Sequence, residues 1–316
     1  MRIGVPRALS FFRFHPALET FFHSLGAEVV VSPPTTRATL EAGLPYTVAE
    51  TCLPVKLFFG HVRALIDQVD LLLVPSIHRL APGSTNCAKL IGLPDMLQAA
   101  LPDLPTLLAP DVDLSKPAAL WGLVLEVGTR LTFNPLALRE AALAGWAAYL
   151  RARAALLEGS ATPADYGRPD PTPLPSGSGL TVAVVGHPYL LYEPYINHRL
   201  LSVLARQGVR LLTPERLGPW PAADYWTFEY ELVGATRLAL DQGQVAGVIA
   251  VVAFGCGPDG VMLEEVQRLA GEAGVPAMTL TLDEHSGQAG LLTRVEAFVD
   301  MLNRRRRADG GSISGD

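Results

Sequence analysis

The chain opens with Arg2-Ile3-Gly4-Val5-Pro6, a short apolar run that ends at a proline and predicts a β-strand. An amphipathic segment over residues 9–25 follows, and it predicts a helix that ends at Gly26. The next apolar run, Glu28-Val29-Val30-Val31, predicts a second strand. A strand, a helix and a strand in this order indicate a parallel α/β unit.

The same pattern starts again in the second half of the chain. Thr181-Val182-Ala183-Val184-Val185 predicts a strand, and a helical segment that ends at Gly208 follows it. Pro188 lies 182 residues after Pro6, and Gly208 lies 182 residues after Gly26. We therefore predict an α/β fold of two Rossmann-like parallel-sheet domains that are related by a weak internal repeat and face each other across a cleft.

Composition shifts set the predicted domain boundaries. The N-terminal domain covers residues 1–157 and ends in a long helical extension, and a linker rich in Pro, Gly and Ser covers residues 158–179. The C-terminal domain covers residues 180–305, and a disordered tail is predicted for residues 306–316. Further strands are predicted at 71–75, 106–109, 209–212, 246–254 and 276–282, and further helices at 53–66, 88–99, 135–157, 195–207, 258–273 and 288–304.

Composition and charge exclude several classes of protein. Of the 316 residues, 49% are hydrophobic and 18% are charged, which is enough apolar material for a folded core and excludes a disordered chain. The net charge of −6 argues against a nucleic-acid-binding protein, and the one basic block, Arg304-Arg305-Arg306-Arg307, lies next to the predicted tail. Apolar runs such as residues 246–254 are shorter than the roughly 18 residues that cross a bilayer, so no membrane segment is expected.

The three cysteines are the most informative residues of the composition. Three thiols cannot all pair in disulfides, and no signal peptide is evident, so we expect a reducing, cytoplasmic location. Cys52, Cys87 and Cys256 each lie where a predicted helix begins, and there free N–H groups and the helix dipole favour a thiolate or an anionic cluster. Their spacings of 35 and 169 residues match no zinc finger or ferredoxin pattern. Two interpretations stay open here, namely a shared metal site and three separate buried thiols.

A dinucleotide fingerprint also occurs in the chain. Gly255-x-Gly257-x-x-Gly260 follows a predicted strand and opens a predicted helix, and Asp283 lies where a ribose-binding carboxylate would be sought. The fingerprint belongs after the first strand of its domain, however, and Pro258 would remove a backbone donor near the phosphates. A dinucleotide-binding enzyme is therefore the weaker alternative.

Several motifs point to a known family. The motifs are Ile3-Gly4-Val5-Pro6-Arg7-Ala8-Leu9, Val31-Ser32-Pro33-Pro34-Thr35, Glu50-Thr51-Cys52-Leu53-Pro54-Val55-Lys56, Cys87 with Gly92-Leu93-Pro94-Asp95-Met96, Cys256-Gly257-Pro258-Asp259 and Leu282-Asp283-Glu284-His285-Ser286-Gly287. Together they resemble the acyl-CoA dehydratase activase-related proteins, relatives of the 2-hydroxyacyl-CoA dehydratase (2-hydroxyglutaryl-CoA dehydratase) subunits, over nearly the whole chain apart from the linker and tail.

The resemblance implies an oxygen-sensitive iron–sulfur protein. In the dehydratase relatives three cysteines hold a 4Fe–4S cluster and one iron stays open, which implies that Cys52, Cys87 and Cys256 are the metal ligands here. Gly255 and Gly257 would let the backbone approach the cluster. The implied activity is ATP-coupled electron transfer, reduction or dehydration on an acyl-CoA-like substrate. The alternative role is a cluster carrier, electron relay or regulator.

The resemblance also bears on partners. No phosphate loop occurs in the sequence, so ATP hydrolysis would come from an activase partner. Neither a nucleic acid nor a membrane is expected as a partner, and a homodimer is a candidate assembly.

No catalytic residue is identified by the sequence, and His285, Glu284 and His61 are the candidates. His285 and Glu284 follow the last predicted strand, where they would act near the cluster. The alternative is that the flanking Asp283 and Ser286 cap the final helix.

Overall fold

Two four-stranded parallel sheets form the core of the computed structural model, which describes residues 1–167, 173–174, 176–217, 226–227, 230–243 and 245–311. In chain order the strands are β1 (Arg2–Val5), β2 (Glu28–Val31), β3 (Leu71–Leu73), β4 (Ser76–Arg79), β5 (Thr106–Leu108), β6 (Asp111–Asp113), β7 (Thr181–Gly186), β8 (Arg210–Leu212), β9 (Gly247–Ala253) and β10 (Ala277–Leu282). The helices are α1 (Phe11–Ser24), α2 (Arg37–Gly43), α3 (Leu53–Arg63), α4 (Ala88–Ile91), α5 (Leu93–Ala100), α6 (Pro117–Gly128), α7 (Pro135–Glu158), α8 (Pro188–Leu191), α9 (Leu200–Arg206), α10 (Ala235–Asp241), α11 (Gly257–Glu272) and α12 (Gln288–Gly311).

The two sheets have the same topology. The first has the strand order β2-β1-β3-β5, and the second has the order β8-β7-β9-β10, so in both the chain moves outward from a central first strand. All pairings are parallel. The predicted α/β class with Rossmann-like units is confirmed, and in such sheets ligands bind where the strand order reverses.

Local signals set the strand and helix ends. Every residue of β9 is buried, as expected for a parallel strand that is covered on both faces. Gly26 and Gly208 have φ of 76° and 82°, the left-handed backbone that ends a helix. The glycine positions that suggested the internal repeat therefore serve the same local purpose in both halves.

The helix predicted to begin at residue 195 instead begins at Leu200. His198 and Arg199 have φ of 51° and 59°, which a helix cannot contain. The Asn197 amide holds this bend, because it donates to the Leu190 and Leu191 carbonyls at 2.9 and 2.6 Å. The missed elements include α2, α6, α10 and a two-stranded sheet of β4 and β6.

The predicted linker and tail are more ordered than the composition suggests. Part of the linker, residues 168–172 and 175, lies outside the described residues, but the Arg7 guanidinium donates to the carbonyls of Ala164 and Tyr166 at 2.7 and 2.9 Å. Residues 306–311 continue α12, and residues 312–316 lie outside the described part of the chain. The domain boundaries themselves stay a prediction.

Helices α2 and α3 approach closely at two glycines. A Cβ atom at Gly60 would lie 1.8 Å from the Thr39 carbonyl oxygen, and one at Gly43 would lie 2.2 Å from the Lys56 carbonyl oxygen. Only a residue without a side chain fits at either position.

We expect Gly60→Ala to lower the free energy of unfolding by about 1–3 kcal/mol, because the added methyl forces α2 away from α3. Thermal and urea unfolding followed by circular dichroism measure this. The matched control is Gly122→Ala in α6, where a Cβ would meet nothing within 4 Å. That change should be neutral or slightly stabilising, since alanine favours a helix. Equal stability of the two variants would contradict the close approach.

Candidate functional site at three helix N-termini

Each of the three cysteines caps a helix, as the sequence predicts. Cys52 is the N-cap of α3, Cys87 of α4 and Cys256 of α11, and all three have extended backbone angles. Pro54 and Pro258 lie at the second helical position, two residues after their cysteines, where a missing N–H costs nothing. The sulfur atoms therefore stand at the positive ends of three helices.

We call Cys52, Cys87 and Cys256 the cysteine site. A charge on Cys87 would raise the pKa of Cys52, and a charge on Cys52 would raise the pKa of Cys256. Gly255 lies close to the loop before Cys52, since a Cβ there would lie 3.0 Å from the Glu50 carbonyl oxygen. Its φ of 73° is a second reason for glycine. Lys89 contacts the same carbonyl, because its Nζ donates to the Glu50 carbonyl oxygen at 3.2 Å.

Two thiols of the cysteine site, Cys52 and Cys256, have raised pKa values. Burial raises the pKa of Cys52, and the nearby Lys89 opposes this. Burial followed by the Asp259 carboxylate raises the pKa of Cys256 strongly. Cys52 and Cys256 therefore stay protonated unless a nearby positive charge stabilises their thiolate forms. A bound metal would supply such a charge, and its binding would release the protons.

The three thiols are not arranged around a single ion. Within the described ranges, no group of three or more His, Cys, Asp or Glu side chains could hold one metal ion. A mononuclear zinc-type centre therefore has no ligand set in this part of the chain.

Glu284, one of the candidate catalytic residues, pairs with Lys56 across the two domains. The Lys56 ammonium is buried, and it contacts the Glu284 carboxylate and donates to the Ala49 carbonyl at 2.9 Å. Burial would raise the pKa of Glu284, but the hydrogen bond and charge of Lys56 outweigh it and lower that pKa below its usual value. Glu284 thus remains ionised near neutral pH, and its pair with Lys56 joins the loop between β10 and α12 to α3.

His61, the second candidate, lies in the interior of the N-terminal domain. Its Nδ1 and Nε2 atoms lie 2.9 and 3.0 Å from the hydroxyls of Ser32 and Thr35. Burial and then the nearby Arg7 charge lower the pKa of His61 to about 3. The imidazole is therefore neutral, and it lines a small cavity of about 10 Å³, which is room for about one water molecule.

His285, the third candidate, is exposed on the loop before α12. Asp283 holds this loop, because its Oδ1 accepts from the His285 N–H at 2.9 Å and from the Ser286 hydroxyl at 2.8 Å. His198 also holds this loop, because its Nε2–H donates to the Ser286 carbonyl oxygen at 2.9 Å. Asp283 and Ser286 thus close a turn before the helix, which is a structural role close to the capping alternative.

A buried chain of charged groups behind Cys256 escaped the sequence analysis. His187 directly follows β7, and its Nδ1 and Nε2 lie 2.7 Å from the carboxylates of Glu231 and Asp259, respectively. Glu231 also pairs with Arg13 of α1, so this series of ion pairs extends to the N-terminal half of the protein. His187, Glu231 and Asp259 are each at most 2% exposed. We call Arg13, Glu231, His187 and Asp259 the buried ion chain.

The buried ion chain touches the cysteine site through Asp259. This residue lies one helical turn after Cys256, and its Oδ2 accepts from the Ala253 N–H at 2.9 Å. Tyr189 stacks on His187 with ring centroids 5.0 Å apart. Burial and the charges of Asp259 and Cys256 raise the pKa of Tyr189, so its phenol stays protonated beside the thiols. The only sequence signal was the motif Cys256-Gly257-Pro258-Asp259.

The fold defines an α/β protein with two parallel sheets of the same topology, in which each of the three cysteines is the N-cap of a helix. The chain belongs to the family described as the CoA enzyme activase uncharacterised domain, which matches residues 2–217. The match includes Cys52 and Cys87, while Cys256 lies beyond it. No curated protein matches the chain. None of the helices in the described ranges is long and apolar enough to cross a membrane.

Proposed function

We propose that this chain holds one 4Fe–4S cluster through Cys52, Cys87 and Cys256 and acts in ATP-coupled electron transfer for the reduction or dehydration of an acyl-CoA-like substrate. An ATP-hydrolysing partner supplies the driving force, and the protein works in a reducing compartment such as the cytoplasm. Membership of the CoA enzyme activase family supports the acyl-CoA context.

One observation carries this proposal: the cysteines are far apart in sequence, yet each caps a helix and Cys52 interacts with both others. A cubane cluster is larger than a single ion, so its thiolates stand farther apart than the ligands of zinc. The residues that would hold such a cluster are three free thiols at helix N-termini, with open space beside Gly257. A cluster with one open iron would supply Lewis-acid or one-electron chemistry.

Neighbouring residues of the chain have supporting roles in this proposal. The helix N-termini and Lys89 offset the negative charge of three thiolates. Gly257 leaves open space beside Cys256, since a Cβ there would meet nothing within 4 Å. Tyr189 keeps its proton and can donate a hydrogen bond toward the thiols.

Anaerobic reconstitution with iron and sulfide tests the proposal. We expect a brown, air-sensitive protein with about four irons and about four sulfides per chain, and an EPR signal after reduction. A protein that remains colourless and binds no sulfide would overturn the cluster. The dinucleotide alternative is tested in the same preparation, because NAD or NADP should leave the melting temperature unchanged.

A second candidate function, an electron relay or cluster carrier, is favoured by the surface beside the cysteine site. Phe254 and Val48 are 61% and 68% exposed, and they flank the contact between Gly255 and Glu50. Exposed apolar side chains of this kind suit a docking protein. Addition of an acyl-CoA thioester separates the two functions: a changed EPR spectrum favours the enzyme, and an unchanged one favours the relay.

A further inference from the structure

Helix α7 has two apolar faces, but only one of them is covered. The covered face packs on α1, where a Cβ at Gly145 would lie 2.9 Å from the Ala17 carbonyl oxygen. Leu138, Ala141 and Ala148 are the other buried residues of this face. The opposite face is exposed over the full length of the helix.

Four leucines follow the exposed face at intervals of seven residues. Leu136, Leu143, Leu150 and Leu157 are 66%, 57%, 46% and 40% exposed, and we call them the leucine stripe. Seven residues correspond to nearly two helical turns, so the stripe is straight and spans about 31 Å. Three consecutive heptads of this kind are typical of helices that pair with another helix.

More exposed apolar side chains lie beside the leucine stripe. Phe133, just before α7, is 86% exposed, and Trp146 on the same helix is 51% exposed. Helix α6 contacts α7, and its exposed large side chains are Leu120, Trp121 and Leu125. Exposed apolar side chains grouped along one helix face are typical of interaction surfaces.

Charged residues on the two sides of the leucine stripe indicate what covers it. Arg139 and Arg153 lie on one side, and Glu140 and Glu158 lie on the other together with Arg151. Among the described residues, none of these forms an ion pair within the chain. Each side thus presents a charge that a matching surface can neutralise.

We infer that the leucine stripe is the interface between two copies of this chain whose α7 helices run parallel. In a parallel pair the arginine side of one helix faces the glutamate side of the other. Arg139 then lies beside the partner's Glu140, and Arg153 lies beside the partner's Glu158. In an antiparallel pair Arg139 would face the partner's Arg153, which is repulsive. A flat anionic bilayer fits less well, because the glutamates would face it as well.

Sedimentation velocity of the full chain tests the interface. We expect the wild type to be a dimer and Leu143→Glu/Leu150→Glu to be a folded monomer with an unchanged circular dichroism spectrum, since both leucines are exposed. The matched control is Val261→Glu on α11, which is 63% exposed and far from α7 in sequence, and it should remain dimeric. A monomeric wild type, or a dimer that the double substitution does not affect, would overturn the inference.

Charge reversal tests the parallel orientation. Arg153→Glu should weaken the dimer, and Arg153→Glu/Glu158→Arg should restore it, because the pair is then reversed on both copies. An antiparallel dimer predicts the opposite, namely a tighter dimer from Arg153→Glu alone. A last experiment adds vesicles with anionic lipid. If the wild type is a monomer that binds them, and Leu143→Glu/Leu150→Glu abolishes this binding, the leucine stripe is a membrane-binding surface and the dimer is refuted. Neither the charge-reversal result nor the vesicle result depends on the proposed 4Fe–4S cluster.

Discussion

Replacement of His187 by phenylalanine is expected to lower the free energy of unfolding by about 3–5 kcal/mol, which is the usual cost of removing one partner from a buried ion pair. The imidazolium bridges Glu231 and Asp259, and both carboxylates are almost fully buried. Phenylalanine fills most of the volume but leaves two buried carboxylates, of which only Glu231 keeps a cation, Arg13. Urea unfolding at neutral pH measures the loss.

The same contacts predict the pH dependence of stability. Burial opposes the charge on His187, but Asp259 and Glu231 outweigh it and raise its pKa to about 10, against 6.5 for an ordinary histidine. A group whose pKa is raised in the folded state binds its proton more tightly there than in the unfolded chain. Its contribution is therefore complete below about pH 6.5 and is lost as the pH rises through 10. The wild type should lose stability over this range, and His187→Phe should lose less.

The exposed His285 provides the matched control for His187. His285→Phe should change the free energy of unfolding by no more than about 0.5 kcal/mol, as is usual for surface positions. A conservative second substitution, Asp259→Asn, should restore part of the stability of His187→Phe, because it removes the carboxylate that has lost its cation. If His187→Phe is as stable as the control, the buried ion chain is not charged in the folded protein.

The sequence was sufficient for features that short segments determine. The buried strand β9 and the glycine stops at Gly26 and Gly208 need only their own neighbours, so periodicity and residue type predict them. The N-cap positions of Cys52 and Cys256 follow for the same reason, since Pro54 and Pro258 mark the helix start two residues later.

Long-range pairing could not be read from the sequence in the same way. The buried ion chain joins Arg13, His187, Glu231 and Asp259, and nothing in their spacing indicates that they meet. Helix α7 shows a related limit, because Leu136 and Leu138 look alike in the sequence. Only tertiary packing, in which Leu138 lies against Gly128 of α6, decides that Leu138 is buried and Leu136 is exposed.

The largest loss of bound iron and sulfide is expected when a cysteine of the cysteine site is replaced. After anaerobic reconstitution, Cys52→Ser, Cys87→Ser and Cys256→Ser should each lose most of the iron and sulfide, because a serine hydroxyl is a much poorer ligand for iron than a thiolate. The brown colour and the EPR signal should fall in parallel. Val261→Ser, an exposed position on α11, is the matched control and should keep both.

Cys87→Ser is the most informative of these variants. Cys52 is buried in the core, so its replacement also disturbs packing, and Cys256 lies against Asp259 of the buried ion chain. Cys87 is half-buried and caps a helix of one turn, so serine there should leave the melting temperature nearly unchanged. A stable Cys87→Ser protein without iron would locate the cluster at all three thiols. A stable Cys87→Ser protein with full iron would instead restrict the ligands to Cys52 and Cys256, and two thiolates from one chain are too few for the cluster proposed here.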